Sequence, residues 1–170
     1  EITVEELMHY VKGPDFPTGG IIQGRQGIKD AFETGRGRIV IRSKTEIEVN
    51  DSGRETIVVT EIPYMVNKRE MIEKIAELVE NKKIEGIAYI NDETTMKGVR
   101  IVIRLKKDAN SNVVLNTLFK YTPLQSSFSV NNVALVNGRP RTLNLKQLIK
   151  YFVKHRHEVI LRRTKFDLEK

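Results

Sequence analysis

Two stretches of alternating apolar and polar residues constrain the fold of this chain more than any other feature. They cover about 36–49 and 99–106, and in both most apolar side chains fall at odd positions. A period of two is that of a β-strand with one face buried. The turn sequence Asn-Asp-Ser-Gly at 50–53 joins the first stretch to another apolar run, and this predicts a β-hairpin. The chain must therefore contain antiparallel sheet.

Helical patterns lie between and around these strands. Caps and stop signals predict four short helices: 4–11 after Thr3, 27–34 before Gly35, 67–81 opened by Asn67, and 110–122 before Pro123. A second hairpin is predicted to turn at Asn137-Gly138. Hairpins mixed with amphipathic helices indicate an α+β fold.

A far longer helical pattern runs from Asn144 to Lys170 without Gly or Pro. At 1.5 Å per residue it would extend about 40 Å. Arg156 and Arg163 fall on or beside its apolar stripe, which indicates a seam with a partner helix rather than a buried core. Because the chain starts without Met and this helix lacks a stop signal, we expect a piece excised from a longer protein. The predicted division is an α+β domain at 1–143, with lead-in helices and a Gly/Pro loop at 1–35, and a projecting helix at 144–170.

The formal net charge is +7, and it is concentrated at the end of the chain. Residues 139–170 hold ten Lys and Arg against three Asp and Glu, whereas the first 138 residues balance at nineteen of each. A smaller basic cluster, with six cations and two acids, covers 25–44. Two such clusters favour a polyanionic partner, and a basic surface without a partner is the alternative.

The six candidate phosphate-binding cations fall into two groups. Four occupy even positions of the first strand: Arg36, Arg38, Arg42 and Lys44. A single strand would present them on one face, but Glu46 and Glu48 continue that face, so solvated ion pairs are the alternative. The other two, Arg139 and Arg141, flank the second hairpin turn, close in sequence to lysines at 146, 150 and 154. Few aromatics accompany them, so we expect contact with a duplex backbone rather than stacking on single strands.

Several kinds of site are excluded or disfavoured. The chain has no cysteine, so disulfides and thiolate zinc sites are impossible, and we expect a cytoplasmic protein. No apolar run is long enough to span a bilayer. His155 and His157 are two residues apart on a predicted helix and would make a poor metal pair. The glycine-rich stretch 19–27 lacks the Gly-Lys-Ser/Thr of a phosphate-binding loop. We therefore expect no catalytic residue and no metal site.

Several segments resemble one family over essentially the whole chain. They are GPDFPTGGIIQGRQGIKDAFETGRGRIVIRSK, TEIPYMVNKREMIEKIAELV, LQSSFSVNNVAL and NLKQLIKYFVKHRHEVILRRTKFDLEK. In order and content they are similar to the A subunit of bacterial type IIA topoisomerases. The ending FVKHRHEVILRRT is more similar to the DNA gyrase A subunit than to its topoisomerase IV counterpart.

The resemblance implies an internal piece, the tower region and the start of the coiled-coil arm. In the family, a phosphodiester is attacked by a tyrosine of the A subunit, and a second duplex passes through the break. The B subunit supplies magnesium and ATP hydrolysis. The resemblance implies three partners: duplex DNA, the gyrase B subunit and a second copy of the A subunit. It also implies a location in the bacterial cytoplasm, associated with the nucleoid. Tyr121, in KYTPLQ, superficially matches the catalytic motif, but its neighbours match the segment after the tower and Lys120 replaces the motif's arginine.

We therefore expect a non-catalytic fragment that supports and contacts the cleaved duplex, called the gate segment. The tower flanks the bent gate duplex, so the six cations named above would hold its phosphates. Two alternatives stay open: a purely structural strut whose cations are solvated, and an independent RNA-binding module, which the few aromatics disfavour.

Overall fold

The computed structural model describes residues 1–170, which form five helices and nine strands. The helices are α1 (Val4–Leu7), α2 (Gln26–Thr34), α3 (Lys68–Glu80), α4 (Ser111–Tyr121) and α5 (Leu145–Glu169). The strands are β1 (Ile21–Gln23), β2 (Arg36–Arg42), β3 (Lys44–Val49), β4 (Glu55–Glu61), β5 (Ile87–Asp92), β6 (Ile101–Leu105), β7 (Gln125–Asn131), β8 (Val133–Val136) and β9 (Arg139–Thr142). Antiparallel sheets combined with helices confirm the predicted α+β class.

The chain divides into two compact units. The basic unit comprises 1–14, 24–39 and 129–170, and the neutral unit comprises 15–23 and 40–128. The basic unit holds fifteen Lys and Arg against eight Asp and Glu, which accounts for the whole net charge of +7. The neutral unit holds fourteen of each sign. The sequence-based domain boundary at 143/144 stays a prediction.

A four-stranded antiparallel sheet forms the centre of the neutral unit, in the order β3-β4-β6-β5. β4, α3 and β5 make a crossover with β6 inserted between the two strands, which is a split βαβ arrangement. Alternate residues of β4 and β6 face α3 and α4, so apolar side chains from both layers share one core. Its fully buried members are Ile57, Val59, Met71, Ile75, Ile101, Ile103, Leu105, Leu118 and Leu124.

Ser43 interrupts the strand predicted over 36–49, so that prediction is wrong. β2 belongs to the three-stranded sheet β1-β2-β7, whereas β3 belongs to the four-stranded sheet. At the break Ser43 is buried, and both its backbone N–H and its hydroxyl donate to the carbonyl oxygen of Leu124, each at 2.9 Å. Because these bonds replace sheet pairing, Lys44 lies in a different sheet from Arg36, Arg38 and Arg42. The four cations do not share one strand face.

In the basic unit, α2 lies close against the backbone of β2. A Cβ atom on Gly27 would overlap the carbonyl oxygen of Arg38, and one on Gly37 would lie 2.7 Å from the backbone nitrogen of Ala31. Glycine at both positions therefore permits contact between helix and strand backbones. Gly35, at φ 82°, ends the helix in the left-handed conformation, as predicted.

The long helix α5 is confirmed, and most of it is uncovered. Its N-terminus has a capping box: Asn144 Oδ1 accepts from the Gln147 N–H at 2.8 Å, and Gln147 Oε1 accepts from the Asn144 N–H at 3.0 Å. Leu145 is buried, but beyond Tyr151 every residue is exposed except Val159, which is partly buried. No helix in the chain combines the length and the apolar character needed to cross a membrane.

Candidate nucleic-acid interface

Arg36 and Arg38 are the freest of the predicted contact residues. Both are exposed and lie on the part of β2 that belongs to the basic unit. Neither side chain forms an ion pair or a hydrogen bond within the protein. Being two residues apart on a strand, they point to the same side. Their guanidinium groups can therefore meet an external anion without breaking an internal contact.

Arg139 and Arg141 occupy a second exposed position in the basic unit, on β9. The β8–β9 hairpin turns at Asn137 and Gly138, whose φ values of 52° and 76° fit the predicted Asn-Gly turn. Arg141 donates from Nη1 to the hydroxyl of Tyr151 on α5 at 3.3 Å, whereas the Arg139 side chain has no partner. The hairpin arginines thus lie beside the first turns of α5.

Along α5, the first lysine is paired and the following cations are free. Lys146 Nζ lies 3.1 Å from Glu1 Oε1, and this hydrogen bond, with the Lys146 charge, lowers the pKa of the Glu1 carboxyl. Lys150 and Lys154 are exposed and form no ion pair. These lysines extend the cationic surface that begins at the hairpin.

Arg42 and Lys44 lie in the neutral unit and already have partners inside the protein. Arg42 is half-buried, donates from Nε to Gln125 Oε1 at 2.6 Å, and has its guanidinium carbon 4.6 Å from the ring centre of Phe119. Lys44 Nζ lies 4.0 Å from Glu61 Oε1, so its pairing is looser. The structure therefore separates the six predicted cations into four in the basic unit and two in the neutral unit.

Besides Lys44, four of the fourteen cations of the neutral unit form ion pairs: Lys68, Arg69, Lys74 and Arg100. Arg100 lies 3.3 Å from carboxylate oxygens of both Glu48 and Glu93. Lys68 Nζ lies 2.8 Å from Asp92 Oδ2, and this bond, aided by Thr94, lowers the pKa of Asp92. Sequence reasoning missed these pairs because they join residues that only the folded sheet and helix bring together.

Two tyrosines bear on the candidate site, one at the end of α4 and one in an aromatic cluster. Tyr121 is the last residue of α4, is 54% exposed, and has the Lys120 ammonium 5.2 Å from its ring centre. No acid or base hydrogen-bonds its hydroxyl. Tyr64 packs with Phe16 and Phe128, with ring centres 5.7 and 5.5 Å away. Both positions are those of packing or surface residues.

No group of three or more His, Cys, Asp and Glu residues comes together in an arrangement that could hold a metal ion. His155 and His157 are both exposed on α5. The candidate site consists of exposed guanidinium and ammonium groups on the basic unit.

Comparison with known proteins agrees with the resemblance found in the sequence. Residues 1–170 match the family described as the A subunit of DNA gyrase/topoisomerase IV. The chain is 56% identical to the DNA gyrase A subunit of Clostridium acetobutylicum over 170 residues, which is 100% of this chain and 20% of that protein. It is 59% identical to that of Ureaplasma parvum over 169 residues, 99% of this chain and 20% of the relative. For Staphylococcus epidermidis the identity is 56% over 171 residues, 100% of this chain and 19% of the relative.

The chain thus spans about a fifth of the length of the curated relatives that it matches. Those relatives carry the name of the gyrase A subunit, as the ending of the sequence predicted. Since both the family match and the identities cover essentially every residue, the chain belongs to the family of DNA gyrase/topoisomerase IV A subunits.

Proposed function

We propose that this chain is a non-catalytic part of a DNA gyrase A subunit, which supports and contacts the gate-segment duplex during ATP-dependent supercoiling and strand passage. The observation that carries the proposal is the concentration of the whole net charge in the basic unit. Of the fifteen cations there, only Lys29 and Lys146 form ion pairs. The remaining positive charge is available to a polyanion.

The contact proposed is with phosphates rather than with base edges. Arg36, Arg38, Arg139 and Arg141 would bind the duplex backbone, which positions DNA without reading its sequence. Such binding releases counterions, so its affinity falls steeply with salt. Arg42 and Lys44 remain candidates with a smaller expected contribution, because binding DNA would compete with their internal partners.

The chemistry of strand breakage is assigned to other parts of the enzyme. Tyr121 has no positioned acid or base, and this chain has no cluster of metal ligands, so we assign it no step through magnesium or ATP. In the proposed assembly the B subunit supplies both, and a second copy of the A subunit completes the enzyme. The assembly would act in the bacterial cytoplasm, associated with the nucleoid. A piece of a topoisomerase IV A subunit would use the same contacts.

A second candidate function is a structural strut without DNA contact. The observation in its favour is the internal pairing of Arg42, Lys44 and Arg100, which gives these three cations a role within the neutral unit itself. In this alternative the free cations of the basic unit would be solvated surface. The two candidates differ in one measurable property, affinity for duplex DNA.

The test is fluorescence anisotropy of a labelled duplex titrated with the 170-residue chain at about 50 and 200 mM salt. We expect weak binding that does not depend on sequence and that falls steeply with salt. Arg36→Glu/Arg38→Glu should weaken binding at the lower salt about tenfold and reduce the log–log salt slope by about two. The matched control, Lys106→Glu/Lys107→Glu, reverses two exposed, unpaired cations of the neutral unit and should have a much smaller effect.

Equal losses in the two double variants would mean that only total charge matters, and the assignment to the β2 arginines would fail. Absence of binding by the parent chain at low salt would favour the strut. Circular dichroism of each variant checks that the fold is intact.

A further inference from the structure

The four-stranded sheet of the neutral unit has an unpaired edge along β3. This strand is the last in the order β3-β4-β6-β5, and it pairs only with β4. The backbone of Lys44–Val49 makes no hydrogen bond with a residue outside β4. Every second residue of an edge strand directs its N–H and C=O groups away from the sheet, so these groups are available to an additional strand.

The β3 edge is also the more regular of the two edges of this sheet. β5, at the other edge, is interrupted by a register shift between Ile87 and Tyr89. The only shift in β3 falls at its first residue, and Thr45–Val49 pair with β4 without a break and contain no proline. Bulges and prolines are devices that keep other strands from adding to an edge, and this part of β3 has neither.

One face of β3 presents two apolar side chains. Ile47 lies opposite the fully buried Ile57 and therefore points to the face of the sheet that carries the core. Val49 lies two residues further along the strand and points to the same face. Ile47 is nevertheless 40% exposed and Val49 is 62% exposed. An additional strand beside β3 would bury more of both side chains, which favours its binding.

The other face of β3 presents carboxylates. Glu46 and Glu48 alternate with the apolar residues and point to the opposite face. Glu48 lies 3.3 Å from Arg100, whereas Glu46 forms no ion pair within the protein. Opposite charges that face each other on neighbouring strands stabilise the pairing, and like charges oppose it. A complementary strand should therefore carry cations on this face and apolar residues on the other.

A second copy of β3 does not meet this requirement. In the symmetric antiparallel register centred on Ile47, Glu46 of one copy would face Glu48 of the other. In the register centred on Glu46, the two Glu46 carboxylates would face each other. Each register places like charges in direct opposition, which destabilises the pairing. The complementary strand must therefore come from a different polypeptide segment.

We propose that the β3 edge is a docking site for an extended segment of another protein, in which lysine or arginine alternates with β-branched apolar residues. The segment extends the four-stranded sheet by one strand. Main-chain hydrogen bonds provide affinity and the alternating side chains provide specificity, as is general for strand addition. The site lies in the neutral unit and does not depend on the duplex contact proposed for the basic unit.

The experiment titrates the 170-residue chain into a fluorescently labelled peptide of about seven residues that alternates lysine and valine. One comparison peptide has the same composition with the lysines grouped at one end, and another has glutamate in place of lysine. Fluorescence anisotropy at about 150 mM salt measures the three affinities. We expect the alternating lysine peptide to bind at least about tenfold more tightly than either comparison peptide.

Two N-methylated forms of the alternating peptide test whether its backbone adds to the sheet. Successive residues of an extended strand direct their N–H groups to opposite edges, so methylation of all lysine nitrogens or of all valine nitrogens of the main chain blocks one edge each. Blocking the edge that meets β3 should abolish binding, and blocking the other edge should leave it intact. The side chains and the net charge are the same in both peptides.

The decisive variant of the protein is Glu46→Lys/Glu48→Lys, which should make the glutamate peptide the tighter ligand. The matched control is Glu80→Lys/Glu85→Lys, which changes the charge of the same unit equally at two exposed acids outside β3 that form no ion pair. The control should still prefer the lysine peptide. Circular dichroism checks that both variants keep the fold.

Equal binding of the alternating and the grouped lysine peptides would show that net charge alone attracts them, and it would overturn the proposal. Equal effects of the two methylation patterns, or of the β3 and control variants, would do the same. Sedimentation showing that the chain associates with itself, and that Glu46→Lys/Glu48→Lys changes this association, would assign the edge to a second copy and overturn the proposed partner. None of these outcomes bears on affinity for duplex DNA, which is measured separately.

Discussion

The two units of this chain differ in charge balance: the neutral unit holds fourteen charges of each sign, whereas the basic unit holds fifteen cations and eight acids. In the neutral unit, five of fourteen cations form ion pairs with acids of the same unit: Lys44, Lys68, Arg69, Lys74 and Arg100. In the basic unit, only two of fifteen cations do so. Exposed pairs contribute little stability, but they leave no net field. The excess of seven cations in the basic unit sustains a field that attracts polyanions, which is why we propose the duplex contact for that unit.

The units also differ in how they are held together. The neutral unit has a continuous core between its sheet and its two helices. The basic unit buries fewer large side chains and relies on the close approach of α2 to β2 at Gly27 and Gly37. The stability of the neutral unit should therefore depend on the apolar volume of its core. The stability of the basic unit should depend on having glycine, without a side chain, at positions 27 and 37.

The largest expected effect is loss of core volume in the neutral unit. Ile103 is fully buried on β6, and Ile103→Ala should lower the free energy of unfolding by about 2–5 kcal/mol, because it removes apolar contacts and leaves a cavity. Urea unfolding followed by circular dichroism measures this. Val113→Ala, at a 63% exposed position of α4, is the control and should cost about 0.5 kcal/mol or less. A loss below about 1 kcal/mol at Ile103 would contradict the core assignment.

The next effect concerns backbone contact in the basic unit. Gly37→Ala should destabilise by about 1–3 kcal/mol, because the new methyl group would press on the α2 backbone near Ala31. Gly53→Ala is the comparison: nothing lies within 4 Å of that position, but its φ is +76°, so its cost reflects backbone conformation alone. If thermal unfolding shows Gly37→Ala to be the milder change, close packing does not hold the basic unit together.

A third prediction compares two arginines of the same strand. Arg42→Met should cost about 1–2 kcal/mol in stability, because it removes the bond to Gln125 and the contact with Phe119. Arg38→Met should leave stability nearly unchanged and weaken duplex binding more than Arg42→Met does. Urea titration and DNA anisotropy on both variants measure the two effects. The opposite ranking in DNA affinity would place the phosphate contact in the neutral unit.

Local sequence signals predicted most of the elements because their causes are local. The capping boxes at Thr3 and Asn144, the glycine at position 35 and the Asn-Gly turn each determine structure within a few residues. The short strand β1 and the strand β7 were missed. β1 has only three residues, and β7 is rich in serine and asparagine, so neither has a strong alternating pattern.

The candidate site was harder to predict than the fold. Alternation alone assigned Lys44 to the strand of the arginines, because the bonds from Ser43 to Leu124 join residues 81 positions apart. For the same reason, the sequence did not reveal that Arg42 bonds to Gln125 or that Arg100 pairs with Glu48. A sequence shows which residues are cations. Whether each cation has an internal partner depends on the tertiary structure.

The smallest expected effect tests one matched pair of the neutral unit through pH. The bond from Lys68 lowers the pKa of Asp92, so folding favours the ionised carboxylate. This contribution is complete above the unfolded pKa of about 4 and disappears as pH falls through the lower folded value. Asp92→Asn should therefore cost a few tenths to about 1 kcal/mol at neutral pH, and its deficit should shrink in acid. Asp51→Asn, at an exposed residue without an ion pair, is the control for unfolding measurements across pH. If the deficit for Asp92→Asn stays constant into acid, the Lys68 pair does not make the free energy of unfolding depend on pH. The pair would then not stabilise the neutral unit through the charge of Asp92.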